Sequence, residues 1–239
     1  MIPQTINTYF HDILLDNLSL LDLDISLSEQ TIVNMVKYME LLIKWGNKFN
    51  LTSIKEPTRI VVAHFLDSLT VFNVWRCHSS SYFLDLGTGA GFPGLVVKTA
   101  SECVNLTLLD KNPKKILFLK LVSKELGLLN ISFANTTFQN YFACSPRTFF
   151  DVVCFRALPK KIRHLIHPDR VLNPNGSIIQ MYSEIHKPAI NEFEGFEEVE
   201  RWNGNLPYFN FKRTVIRFER IPGYEFSEKR EFKPLNILP

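Results

Sequence analysis

Two periodicities divide the chain. From about Ile6 to Trp75 apolar residues recur at helical intervals, as in Ile32, Val36, Met39 and Ile43, with Leu21 and Ile25 nearby and little β-type alternation. After the serines Ser79 to Ser81 the pattern becomes short β-rich runs separated by helix-like stretches. Strands are expected at Tyr82–Leu86, Asn105–Asp110, Ile131–Asn135, Asp151–Phe155, Ser177–Met181, Glu197–Arg201 and Thr214–Arg220. Between the early strands lie helices; Lys114 to Leu126 carries apolar residues at 116, 117, 119, 121 and 122 and stops at Gly127, a suitable C-terminal cap. Strand and helix in alternation predict an α/β protein with a doubly wound, mostly parallel sheet. Residues 1–79 read as an N-terminal helical extension packed on the core, and 80–239 as the Rossmann-like core.

The chain has 239 residues and 46% apolar content, enough for one large domain or a domain with an extension. Its longest apolar runs are far shorter than the roughly 20 residues of a membrane span. The opening MIPQTINTYF has no basic stretch leading into an apolar core, so no secretory leader is expected and the cytoplasm is the default location. Cys77, Cys103, Cys144 and Cys154 show no CxxC pair and no zinc-finger spacing, which favours reduced thiols and no metal. Charge is uneven: residues 1–50 carry net −3 of a chain whose total is +3. Segment 147–170 is the densest in cations, with Arg147, Arg156, Lys160, Lys161, Arg163 and Arg170 against Asp151 and Asp169. It suits an RNA-facing surface or a solvated helix face.

The strongest chemical signal is FLDLGTGAGFPG, Phe83 to Gly94, where an expected strand ends in Gly87-x-Gly89-x-Gly91 and leads into an apolar helix start. Glycines let the backbone approach a ligand, and a following helix presents free N–H groups. A dinucleotide site would have GxGxxG, but the sixth position is Phe92, so a dehydrogenase is disfavoured. The second strand ends at Asp110, where a carboxylate would hold ribose hydroxyls of a nucleoside cofactor.

Upstream, Ile60 to Trp75 reads as one helix with an apolar stripe of Phe65, Leu66, Leu69 and Phe72 beside a stripe of His64, Asp67, Ser68 and Val71. The second stripe is either a hydrogen-bonded group lining the cofactor cleft or the solvent face with an incidental i, i+3 pair. Composition alone favours the solvent face. A serine-hydrolase triad is disfavoured, because the three polar residues share about one turn and the chain has no GxSxG elbow.

Several stretches together resemble one family, the bacterial 16S rRNA guanine-N7 methyltransferases (RsmG/GidB). They are KWGNKFNLTSI at Lys44 to Ile54, HFLDSL at His64 to Leu69, DLGTGAGFPG at Asp85 to Gly94, LLDKNPKKILFL at Leu108 to Leu119, FDVVCFRAL at Phe150 to Leu158, and TVIRFERIP near the end. The resemblance spans about Asp12 to Pro222. It implies the class I S-adenosylmethionine-dependent methyltransferase fold, with seven strands, and S-adenosylmethionine as cofactor. The implied cofactor contacts are Gly87, Gly89, Phe92, Asp110, Phe138, Gln139 and Arg156, and the implied positioning group is Arg156, His64, Asp67 and Ser68. Where the family has RxE after the third strand, this chain has Thr137, Phe138 and Gln139; where it has LKG near the fifth, it has Met181, Tyr182 and Ser183.

The implied substrate is 16S rRNA or an assembling small ribosomal subunit; a monomer is the default expectation for the enzyme. Guanine N7 has an in-plane lone pair and no hydrogen, so no general base is expected; alignment of the reacting atoms is what the site must supply. Arg156, just past a strand end, would grip guanine O6 or a phosphate. Phe92 or Phe155 would stack on the unstacked base, unless core, and Lys160, Lys161 and Arg163 would meet backbone phosphates. Two alternatives stay open: a methyltransferase with another RNA or other acceptor, and a non-catalytic RNA-binding assembly factor retaining the fold.

Overall fold

A computed structural model describes residues 4–21, 23, 25–77, 80–144, 149–157, 171–183 and 193–225. The helical part opens with α1 (Gln4–Leu18) and α2 (Glu29–Phe49). Ser28 caps α2 by accepting from the Thr31 N–H, and Asn50 ends it in the left-handed region at φ 51°. Four segments then run head to tail as one rod: α3 (Pro57–Ile60), a π-helical stretch (Val61–Leu66), α4 (Asp67–Leu69) and a 3-10 turn (Thr70–Asn73).

The α/β part follows as β1 (Tyr82–Leu86), α5 (Gly94–Ala100), β2 (Asn105–Leu109), α6 (Pro113–Glu125), β3 (Ile131–Ala134), α7 (Phe138–Cys144), β4 (Phe150–Arg156), β5 (Leu172–Tyr182), β6 (Phe196–Leu206) and β7 (Phe211–Arg220). The sheet order is β3-β2-β1-β4-β5-β7-β6, parallel except that β7 runs antiparallel to β5 and β6. Strand order reverses between β1 and β4, and the crevice outside their carboxyl ends is where open α/β sheets bind ligands.

Successive strand residues enter opposite layers, as pleated backbone requires. Phe83, Val152, Cys154, Ile179 and Val215 join a core shared with α1, α2 and the rod; Leu84, Val153, Phe155, Ile178 and Ile216 join a second core that includes Phe138 and Phe193. The helices before the sheet therefore complete one of its two hydrophobic layers.

All seven expected strands are present, but β5 starts five residues early and β6 runs five residues late. Pro174, Asn175 and Gly176 read locally as a turn, as do Asn203, Gly204 and Asn205, yet Gly204 and Asn205 lie opposite Arg213 and Lys212 in the β6–β7 ladder. Tertiary pairing overrides the low strand propensity of Gly204 and Asn205, whereas Pro174 to Gly176 fall where the β4–β5 register shifts between Leu172 and Ser177. On α2 the buried stripe is Ile32, Met35, Val36, Tyr38, Met39 and Leu42, while Ile43 is 37% exposed. The expectation of separate thiols holds for buried Cys154, whereas Cys77 and Cys103 are joined as a disulfide.

Candidate active site

The loop after β1 is built by its glycines. Gly87, Gly89 and Gly91 all have positive φ, at 74°, 61° and 106°. A Cβ on Gly91 would run into the Tyr38 hydroxyl and Leu119, and one on Gly94 into the Asp85 carboxyl. Bare backbone is thus required at the turn and where the helix meets the strand. Asp85, on β1 and 1% exposed, accepts from the Gly94 N–H through Oδ2 at 2.8 Å. Its Oδ1 and the buried Thr88 hydroxyl have no hydrogen-bond partner; the hydroxyl lies close enough to favour the ionised form but outside hydrogen-bond geometry. Burial pushes the Asp85 carboxyl up to about 6, against the pull of Thr88, the Gly94 N–H and Arg156.

Asp110 follows β2 and braces the same loop. Its Oδ2 accepts from the Gly89 N–H at 3.0 Å and its Oδ1 from the Asn112 N–H at 2.8 Å. Lys115 Nζ stands 3.8 Å from Oδ2. Each carboxylate oxygen still has acceptor capacity. After β3, Asn135 Nδ2 donates to the Asp110 carbonyl at 3.1 Å, and Phe138, buried, opens α7 with half-buried Gln139 beside it.

The rod supplies the opposite wall. Asp67 is 2% exposed and Ser68 0%, so the stripe that composition assigned to solvent faces the interior. Arg156, at the end of β4, donates through Nη1 to Asp67 Oδ2 at 2.9 Å and to the Ala63 carbonyl at 3.0 Å. Its Nη2 lies 3.4 Å from His64 Nδ1. Asp67 Oδ1 accepts from Arg213 Nε at 2.8 Å. His64 Nε2 stands 2.8 Å from the Thr52 hydroxyl. Burial first, then the Arg156 charge, lowers the His64 pKa to about 3, so the ring is neutral near pH 7. With Nδ1 accepting from Arg156, Nε2 carries the hydrogen and donates to Thr52.

Phe92 joins the two walls. Its ring lies parallel to His64 at 4.6 Å and to Tyr38 at 5.6 Å, meets Phe65 edge-on, and has Arg156 5.6 Å from its centre. Tyr38, fully buried, donates to the Ala90 carbonyl at 2.5 Å and pins the loop to α2. Such ring pairs are worth roughly 0.5–1.5 kcal/mol each beyond area burial.

Three expectations are corrected. Phe92 is 4% exposed and Phe155 0%, so neither offers a face to an unstacked base. Ser68 turns its hydroxyl back to the His64 carbonyl at 2.5 Å, along its own helix, and does not reach the cleft. Arg156 commits Nη1 to the rod and turns Nη2 toward His64, so its first task is to join β4 to that rod. The structure brings His64, Asp67 and Arg156 together. Lys160, Lys161 and Arg163, with Arg147 and Arg170, lie outside the described residues.

Arg213 and Tyr38 were missed. Arg213 precedes the TVIRFERIP stretch by one residue, and only the fold shows that β7 carries it to Asp67, 146 residues away. Tyr38 had a legible signal: a tyrosine within an apolar helical stripe needs a partner for its hydroxyl.

The residues around the glycine loop fit S-adenosylmethionine. The glycine turn leaves bare backbone for a close ligand, the Asp85 Oδ1 and Thr88 hydroxyl lack a partner, and Asp110 keeps acceptor capacity beside the turn. Fold neighbours agree at the level of architecture. A mutant of MtNAS in complex with S-adenosylmethionine superposes with TM-score 0.53 at 15% identity, covering 92% of this chain and 96% of the other. A SAM-dependent methyltransferase from Aquifex aeolicus gives 0.51 at 16%, covering 73% and 98%. The fold is that of class I S-adenosylmethionine-dependent methyltransferases.

Residues 31–203 match the family model described as rRNA small subunit methyltransferase G. Ribosomal RNA small subunit methyltransferase G of Acinetobacter baumannii is 35% identical over 199 residues, 83% of this chain and 93% of the relative. That of Nitrosococcus oceani is 30% identical over 199 residues, 83% of this chain and 90% of the relative. The chain belongs to the rRNA small subunit methyltransferase G family. No described helix is long and apolar enough to cross a membrane.

Proposed function

We propose that this protein transfers a methyl group from S-adenosylmethionine to N7 of a guanine in 16S small-subunit rRNA. The observation that carries the reading is the juxtaposition of two walls at the carboxyl edge of the sheet: the glycine loop with Asp85 and Asp110, and Arg156 locked to Asp67 and His64.

S-adenosylmethionine supplies an electrophilic methyl group on a sulfonium. Gly87 and Gly89 would cradle it, Asp110 would take ribose hydroxyls, and Phe138 with Gln139 would border the adenine. Gln139 offers both a donor and an acceptor without charge. Guanine N7 needs no proton removed, which accords with a neutral His64 whose two nitrogens are already engaged. Asp67, His64 and Arg156 act by alignment: a cation held on a buried carboxylate fixes the end of β4 beside the loop. Ser68 serves inside the rod. Lys160, Lys161 and Arg163 would meet backbone phosphates, and the reading takes the enzyme as a monomer without metal, with residues 1–79 as an extension of an 80–239 core.

The test is calorimetric binding of S-adenosylmethionine to wild type and to Gly87→Arg, with methyl transfer to small-subunit rRNA mapped to the modified atom. Binding lost in the variant and wild-type transfer to guanine N7 support the reading. Binding without transfer to rRNA points to another acceptor, and absence of binding points to an RNA-binding assembly factor.

A further inference from the structure

Phe92 and Phe155 are buried, so neither is a ring that receives an unstacked base. The sheet topology supplies one elsewhere. β6 is antiparallel to β7, which is antiparallel to β5, so the β6–β7 connection emerges at the same edge as the ends of β1, β4 and β5. That connection is Pro207-Tyr208-Phe209-Asn210, between the paired residues Leu206 and Phe211.

Its aromatics are turned outward. Tyr208 is 65% exposed and Phe209 37%. The Phe209 N–H donates to the Pro207 carbonyl at 2.8 Å, a three-residue turn whose centre, Tyr208, has φ 63°. A bulky residue at positive φ is costly, and glycine or asparagine would be the cheap choice.

Cations interleave with these rings. Phe209 and Phe211 stack at 5.3 Å; the Arg59 guanidinium lies 5.9 Å from Phe209 and 5.3 Å from Phe211, and Arg213 5.3 Å from Phe211. Lys212 is exposed beside them. The nearby Glu56 is tied to the Thr58 and Arg59 N–H groups as a helix cap. Arg213 then reaches Asp67, and through it Arg156. Aromatic faces among cations, continuous with the catalytic wall, are the makings of a single-stranded nucleic acid platform.

The geometry points to the β6–β7 turn as a base-stacking surface for the single-stranded RNA that carries the target guanine. Tyr208 and Phe209 stack on unpaired bases next to it, while Arg59 and Lys212 meet their phosphates. This rests on the proposed RNA methyltransferase reading.

The test uses the full chain with Tyr208→Ala, Phe209→Ala, the double variant and Tyr208→Phe. Affinity is measured for 16S rRNA and for small subunits from cells lacking the methylation, beside S-adenosylmethionine binding and thermal unfolding. Removing one stacked base contact weakens RNA binding by about 5- to 150-fold. The expected result is that loss in the alanine variants, near wild-type affinity in Tyr208→Phe, unchanged cofactor binding, and an unchanged salt dependence. Lys212→Ala, by contrast, lowers the salt slope by about one. Alanine variants that bind RNA like a wild type competent in methyl transfer overturn the stacking surface alone. A wild type that transfers no methyl to rRNA, with RNA affinity still falling in the variants, overturns the functional reading and keeps the surface. A wild type that binds neither RNA form overturns both.

Discussion

Asp67 and Asp85 are equally hidden, at 2% and 1% exposure, yet their surroundings are opposite. Each oxygen of Asp67 receives a guanidinium, Arg156 on one and Arg213 on the other. Asp85 receives one backbone N–H, keeps an unpartnered oxygen, and has its pKa raised to about 6 by burial. The rod wall is internally complete, and its charge pairing holds three distant segments together. The loop wall keeps one buried carboxylate oxygen short of a donor.

Breaking the complete wall gives the largest effect. Asp67→Ala leaves two arginines facing each other without their carboxylate. Urea unfolding should show a loss of about 3–5 kcal/mol, the usual cost of removing one partner of a buried pair. Asp67→Asn, close in shape, should recover packing but not the charge. Stability equal to wild type in both would show that the arginines find other partners.

The next effect tests the loop. Gly91→Ala puts a Cβ at φ 106° against the Tyr38 hydroxyl and Leu119, and overpacking of this kind costs about 1–3 kcal/mol. Because Tyr38 pins the loop through Ala90, S-adenosylmethionine affinity should fall with stability. Gly127→Ala, at φ 64° but with open space around its Cβ, is the control: it should cost stability through the backbone alone and leave cofactor binding intact.

The pH dependence separates the walls by sign. His64 is depressed from 6.5 to about 3, so below about pH 6.5 the unfolded chain takes up a proton that the native ring refuses. This part of the stability is present above pH 6.5 and is lost as pH falls toward 3. Asp85 is raised from 3.8 to about 6, so the native state keeps a proton that the unfolded chain releases. Its contribution is present below about pH 4 and is lost as pH rises through 6. His64→Gln should flatten the acid-side decline in thermal midpoint. Asp85→Asn, which keeps an acceptor for Gly94, should remove the decline between pH 4 and 6. Unaltered pH profiles in both would mean that neither group is perturbed as the geometry requires.

Much of the fold was legible because it is written in local patterns. Short β-rich runs placed all seven strands, and misjudged the extents of β5 and β6 where Pro174 and Gly204 carry low strand propensity. The glycine loop was legible for a covalent reason: only residues without Cβ sit easily at the φ values of Gly87, Gly89 and Gly91. The rod was harder. A helix with two stripes does not say which one is buried, and the polar stripe entered the interior because arginines from β4 and β7 neutralise it. The aromatic candidates failed for a related reason, since phenylalanine in an apolar run carries no mark that separates a ring offered to a ligand from a core ring.

What the sequence determined by itself was the alternation of strands and helices, the glycine turn, the acidic residue after the second strand and the family to which the chain belongs. These depend on backbone sterics and on residues within one or two turns of each other. Only the tertiary structure decided which charges meet. Asp67 finds Arg156 across 89 positions and Arg213 across 146. That pairing follows from strand order and register, which set where each side chain emerges, and no local spacing encodes it.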